Sequence, residues 1–303
     1  MANMRSERAL IPLAFFAIYV IWGATYMLNK VAVAQLEPFY LAGIRFTTAG
    51  LLIFLIARLM GHKLSISWRQ VRNTAFVGFL FLTYGNGVVV WALKFVDSNF
   101  AALEIAAQPL VVLLLMWILQ GKRIQFKSMI GVFLGFIGMY LLISQDEILM
   151  GPNSLLGVLM IFSCMLSWGY GSLFVAKADM PRNYFVNTGF QMFFGGIMLL
   201  IASLAFGEAW VAPQQWKPDV QWVMLILVIF GSIAAFTSFN YLLKRVSPEK
   251  VATSTYVNPI IAMLLGWYVL QESISTQSII AATVLLTGVY FINSGKRKKR
   301  EKV

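Results

Sequence analysis

Long apolar runs separated by short polar stretches make up most of the chain, and within each run the apolar residues are continuous rather than alternating. A helix crosses the hydrocarbon core with about 20 mostly apolar residues, whereas a membrane strand alternates over about ten. The pattern therefore predicts helical spans. Ten are expected, near residues 10–30, 38–60, 73–93, 98–120, 126–144, 153–176, 183–206, 220–243, 249–270 and 275–294. Charge interrupts the second and fourth, at Arg45 and Glu104.

The runs repeat. At an offset of 150 residues, Lys94, Val96, Ala102, Pro109, Leu114, Trp117, Ile124, Gly138, Tyr140 and Ser144 meet identical residues, from Lys244 through Pro259 to Ser294. At an offset of 146, Trp22-Gly23 meets Trp168-Gly169, and Gly43, Gly50 and Gly61 meet Gly189, Gly196 and Gly207. The chain reads as a first five-span copy over 12–144, a second over 153–294, and a basic tail over 295–303.

Charge sets the expected orientation. Of 24 Lys and Arg, the first residues, the tail and alternate loops hold twenty, the other loops only Lys30, Lys94 and Lys217, and Arg45 lies within a span. Basic residues collect on the cytoplasmic side, so both termini are expected there. Five spans is an odd number, so the second copy must enter from the opposite face. The expected architecture is an all-α membrane protein, ten transmembrane helices forming two inverted five-helix repeats around a central cavity. Inverted repeats in transporters put the substrate near mid-membrane, where the copies meet.

Composition agrees: 59% of residues are hydrophobic and 12% charged, with a mean hydropathy of +0.76. Soluble domains carry about 25% charged residues. The net charge of +12 is explained by the loops, so no nucleic-acid partner is expected; lipid and a small-molecule substrate are. The first run ends without a cleavage signal and reads as a span, not a leader. The lone Cys164 excludes an intramolecular disulfide. A cell-membrane location, inner or plasma, is expected, with monomer and homodimer both open.

The runs Ile21-Trp22-Gly23-Ala24-Thr25-Tyr26, Gly43-Ile44-Arg45-Phe46 and Tyr84-Gly85-Asn86-Gly87 resemble the EamA family of the drug/metabolite transporter superfamily. So do Ala107-Gln108-Pro109-Leu110, Val246-Ser247-Pro248, Tyr256-Val257-Asn258-Pro259 and Leu270-Gln271-Glu272. The resemblance covers residues 12–294 and implies ten helices around a central cavity, with export of small metabolites or amino acids. The chain departs from it at Gly121-Lys122, where relatives carry Gly-Glu, and at Glu104, where they carry apolar or small residues.

Arg45 and Glu104 each lie about seven residues into a span, about 10 Å deep at 1.5 Å per residue. Equal depth permits an ion pair. One reading makes that pair structural. The other makes Glu104 a binder of protons or of a cationic or zwitterionic substrate, tuned by Arg45. Their counterparts, Gln191 and Ser254, are neutral, so symmetry does not demand the charges. Gln108-Pro109 and Asn258-Pro259 occupy matched places. Proline frees a carbonyl, which the preceding amide can satisfy, and the kinks serve as hinges or cavity wall. Trp22, Tyr26, Tyr84, Asn86, Trp91, Trp168, Asn240, Tyr241 and Tyr256 complete a candidate wall, on helices that the resemblance sets around the cavity. Trp117 and Trp267 suit interfacial belts.

The expected function is a secondary transporter, exporting small organic metabolites, amino acids or amphipathic drugs by alternating access with possible proton coupling. An intramembrane enzyme and a channel are the alternatives. No HExxH, GxSxG or GxxxxGK[ST] pattern occurs, which argues against metalloprotease, serine hydrolase and ATPase chemistry. No cofactor or metal is expected.

Overall fold

The computed structural model describes residues 10–121, 126–144, 153–246, 251 and 254–294. Among these the chain is all helix and turn, without strands. Seven helices are long and apolar enough to cross a membrane: α1 (Leu10–Val33), α2 (Pro38–Leu59), α3 (Trp68–Ala92), α4 (Ser98–Gln120), α6 (Ser154–Val175), α7 (Tyr184–Ala205) and α8 (Pro218–Leu242). Three more, α5 (Phe126–Ile143), α9 (Ser254–Leu270) and α10 (Thr276–Ser294), are apolar with shorter described apolar stretches. The basic tail and the start of the chain, with Arg5 and Arg8, lie outside the described residues.

Helix α3 starts five residues earlier than its apolar run suggests. Ser67 accepts from the Gln70 amide (3.2 Å) and Gln70 Oε1 accepts from the Ser67 amide (3.3 Å), a capping box that satisfies two otherwise free N–H groups. Helix α4 is not one rod. It stops at Ile105 and restarts at Gln108, with Pro109 at the head of the second piece, where its missing N–H costs nothing. Helices α1, α3 and α8 contain wider π-helical turns at Ala17–Ile21, Phe79–Tyr84 and Leu227–Ala234.

Helix α2 packs most extensively on α7, and α5 on α10. Glycines let these backbones touch. A Cβ on Gly50 would collide with the Phe193 backbone, one on Gly196 with Thr47, and one on Gly43 with Leu200. Rising numbers on α2 thus meet falling numbers on α7, so the two run antiparallel. Gly138 meets Leu285 and Gly288 meets Gly131 and Gly135, so α5 and α10 are antiparallel as well. Such small-residue contacts are how apolar helices associate where no hydrophobic drive exists between them.

One end of the bundle, called distal here, gathers the turns after α1, α3, α7 and α9. There Glu208 accepts from the Phe39 and Tyr40 amides (3.1 and 2.8 Å), and Glu272 accepts from Ser98 and Asn99 (2.9 and 3.1 Å). Each carboxylate caps a helix N-terminus belonging to the other half, with the helix dipole in its favour. Lys30 donates to the Leu93 and Val96 carbonyls (2.8 and 2.7 Å), and Lys94 pairs with Glu37 (2.6 Å). At the opposite, proximal end, Gln70 and Asn73 of α3 bond Asp179.

Candidate functional site

Five rings from four helices meet in the middle of the bundle. Trp22 (α1) and Trp168 (α6) stand edge to face, 6.3 Å between centroids. Phe81 (α3) stacks on Trp168 at 4.4 Å, while Phe239 (α8) lies 5.2 Å from Trp22 and 5.9 Å from Phe236. Ring pairs of this kind contribute about 0.5–1.5 kcal/mol each beyond area burial. The tryptophans are the pair matched by the repeat; the phenylalanines have no counterpart rings, and sequence reading passed over them.

The π turns surround this cluster, and each exposes a carbonyl that a neighbouring helix takes. Ser167 donates to the Leu80 carbonyl (2.7 Å), which also accepts from Gly85 five residues on (3.1 Å). The Trp22 indole donates to the Gly231 carbonyl (3.3 Å). With its amide nitrogen turned inward, Asn258 donates to the Ile18 and Tyr19 carbonyls (2.9 and 2.8 Å). Backbone freed inside a membrane needs such partners.

Gln108 makes the matching bond on the other side, donating to the Met165 carbonyl at 3.0 Å. Met165 and Tyr19 are themselves 146 residues apart. The two pre-proline amides therefore brace equivalent helices, α6 and α1. Asn258 also donates to the Ser254 carbonyl one turn back in its own helix (3.2 Å), the mending expected from the sequence, whereas Gln108 bonds only the neighbouring helix.

Arg45 and Glu104 do not form the expected ion pair. Arg45 is 2% exposed; its Nε donates to Ser232 Oγ (2.8 Å) and its Nη1 to Asn29 Oδ1 (3.2 Å), with the guanidinium carbon 4.8 Å from the Phe46 ring centre. Its partners are neutral side chains on α8 and α1. Glu104 is 0% exposed and neither carboxyl oxygen has a hydrogen-bond partner among the described residues. It is the penultimate residue of the first piece of α4, which packs against α1, α6 and α9. A carboxylate so placed is costly unless a proton or cation joins it.

The remaining wall residues divide. Tyr26 and Trp91 are half-buried against the core that α1, α3, α4 and α6 share, and Trp91 also meets Phe39 edge-on at 5.4 Å near the distal end. Asn86 opens the last segment of α3, its Oδ1 buried and unpartnered. Asn240 belongs to an amide network, donating to Thr188 (2.9 Å) and accepting from Asn187 (3.3 Å), which in turn accepts from Gln191 (3.0 Å). Tyr84 stands apart, 37% exposed, its hydroxyl on Ser163 (3.1 Å). Tyr241 lies at the proximal end against Tyr184. The Tyr256 side chain lies outside the described residues. Trp117 and Trp267 are exposed. Among the described residues no cluster of His, Cys, Asp or Glu suits a metal.

The model of the EamA-like transporter family matches the chain twice, over residues 10–144 and 155–294. The chain belongs to that family. This EamA-like protein is 33% identical over 294 residues to the uncharacterized inner membrane transporter YedA of Escherichia coli strain K12, covering 95% of this chain and 93% of that one. It is 22% identical to the uncharacterized transporter YoaV of Bacillus subtilis strain 168, over 92% and 95% of the two chains. A solved crystal structure 21% identical to it shares the fold, with a TM-score of 0.66 over 93% of this chain and 95% of the other. With its membrane-length helices, the EamA-like protein is a multi-pass membrane protein of a transporter family.

Proposed function

We propose that this protein is a secondary transporter that exports small organic metabolites, amino acids or amphipathic drugs by alternating access between two inverted five-helix copies. One observation carries the reading. Residues matched by the repeat make matched contacts across antiparallel helices: Gly50 on Phe193 answers Gly196 on Thr47, and Gly138 on Leu285 answers Gly288 on Gly135. A two-fold relation between copies that run in opposite directions supports an inverted repeat, with both termini on the cytoplasmic side. Rocking of such copies about a shared centre alternates access.

The ring cluster closing that centre favours a carrier over an open pore. Glu104 supplies the coupling or substrate-contacting carboxylate, since the partners it lacks are a proton and a cationic group. Arg45, tied to α8 and α1, links helices of the two copies.

Counterflow in proteoliposomes tests transport. Purified protein loaded with an amino-acid and drug panel, with and without a pH gradient, is expected to give saturable exchange of at least one solute. Flux linear in concentration would replace the carrier with a pore. Labelling of single introduced cysteines in a Cys164→Ala background tests the topology, and an even number of crossings per copy would overturn it.

A further inference from the structure

Arg45 and its surroundings hold more donors than acceptors. Arg45 of α2 spends Nε on Ser232 Oγ (2.8 Å) and Nη1 on Asn29 Oδ1 (3.2 Å), both neutral acceptors. Two nitrogens of this cluster, Arg45 Nη2 and Asn29 Nδ2, bond nothing among the described residues. Neither is fully enclosed, in contrast to the carboxyl oxygens of Glu104, although the two residues are only 2% and 5% exposed. Gly231 keeps the guanidinium clear on one side, since a Cβ there would stand 3.2 Å from Nη2. Its carbonyl holds the Trp22 indole (3.3 Å), so the ring cluster begins beside the cation. Four acids at the distal end are engaged elsewhere: Glu208 and Glu272 cap helices, Glu37 holds Lys94, and Asp97 faces Lys30 at 3.7 Å. A guanidinium stays protonated, and a buried charge without a counter-charge is costly.

We propose that Arg45 and Asn29 form a subsite for the carboxylate of the transported solute. One carboxylate oxygen accepts from Nη2 and the other from the Asn29 amide, and the anion supplies the negative charge that the cluster lacks. A doubly charged phosphate would leave one charge unmatched by a single guanidinium. Among the solutes named above, the chemistry selects amino acids and acidic metabolites over cationic drugs. The residues matched to Arg45 and Asn29 in the second copy are Gln191 and Val175, so repeat symmetry does not account for the cluster. The inference rests on the transport reading, whereas the binding that tests it needs no flux.

Thermal unfolding of the purified full chain in detergent provides the test, titrated with leucine, phenylalanine, threonine, benzoate and acetate, each beside its carboxamide. At least one acid is expected to stabilise wild type at about tenfold lower concentration than its amide, the ratio for one charge-assisted hydrogen bond. Asn29→Asp sets a carboxylate against Arg45. It is expected to raise the melting temperature of the ligand-free protein and to abolish the preference for acids. Arg45→Lys keeps the charge but loses the planar fork and is expected to weaken the preference. Should that variant unfold, Asn29→Asp carries the test, because it adds an ion pair and removes none. Amides that stabilise wild type as well as their acids, an undiminished preference in Asn29→Asp, or equal stabilisation by sodium chloride would overturn the subsite. Acid binding without counterflow of the same solute would remove the transport reading alone.

Discussion

Helices α4 and α9 carry the same amide-proline pair at matched places and differ in what surrounds it. In α9 the helix runs unbroken from Ser254 to Leu270 with Pro259 inside it; in α4 the helix stops at Ile105 and restarts at Gln108. Both amides brace a neighbouring helix by way of equivalent carbonyls. Only the broken helix carries a buried carboxyl group, Glu104, one residue before its stop, where the second copy has Ser254. Features kept in both copies hold the bundle together. The departure from symmetry combines a broken helix with a buried carboxyl group that has no hydrogen-bond partner among the described residues, and that is where transport chemistry is best sought.

Ways to break this comparison follow in order of size. Glu104→Gln is expected to lower solute counterflow by at least about tenfold, equivalent to about 1.4 kcal/mol, with the protein still monodisperse on gel filtration. Ser254→Ala should change flux less than twofold; equal losses would remove the asymmetry. Pro109→Ala lets α4 close over its break. It should slow flux several-fold with no gain in thermal stability, because proline at a helix start costs nothing. Pro259→Ala removes a proline from a helix interior, a placement that costs about 3 kcal/mol in soluble helices. It should raise the melting temperature and leave flux nearly intact, and the reverse pattern would make α9 the hinge.

Smallest is the difference between the braces. Asn258→Leu strips several carbonyl contacts and Gln108→Leu one. At about 0.6 kcal/mol per interhelical hydrogen bond, the first should destabilise more in thermal unfolding. A larger loss for Gln108→Leu would mean that the broken helix leans on its brace more than the intact one does.

Much of this was legible in the chain. Apolar run length located the helices, and the offsets paired Trp22 with Trp168 and Gly50 with Gly196 before any contact was known. The π turns were not legible, because the change of backbone register is decided by neighbours such as Ser167 and Asn258, which compete for the carbonyls. The ion pair failed for a related reason. Equal depth along two helices says nothing about which way they face, and Arg45 turns to Ser232, 187 residues away in sequence. Glu208 and Glu272 looked like ordinary loop acids. A signal was available, since each lies just past a helix end, but the helix start it caps is remote in sequence.

Those two carboxylates bear on the tempo of the molecule. Four backbone amides at the heads of α2 and α4 are held by acids from the opposite half. Parting the halves at that end gives up all four bonds before water can replace them. In the alternating access proposed above, opening this end must undo four bonds to carboxylates, whereas the proximal end is more lightly stitched among the described residues.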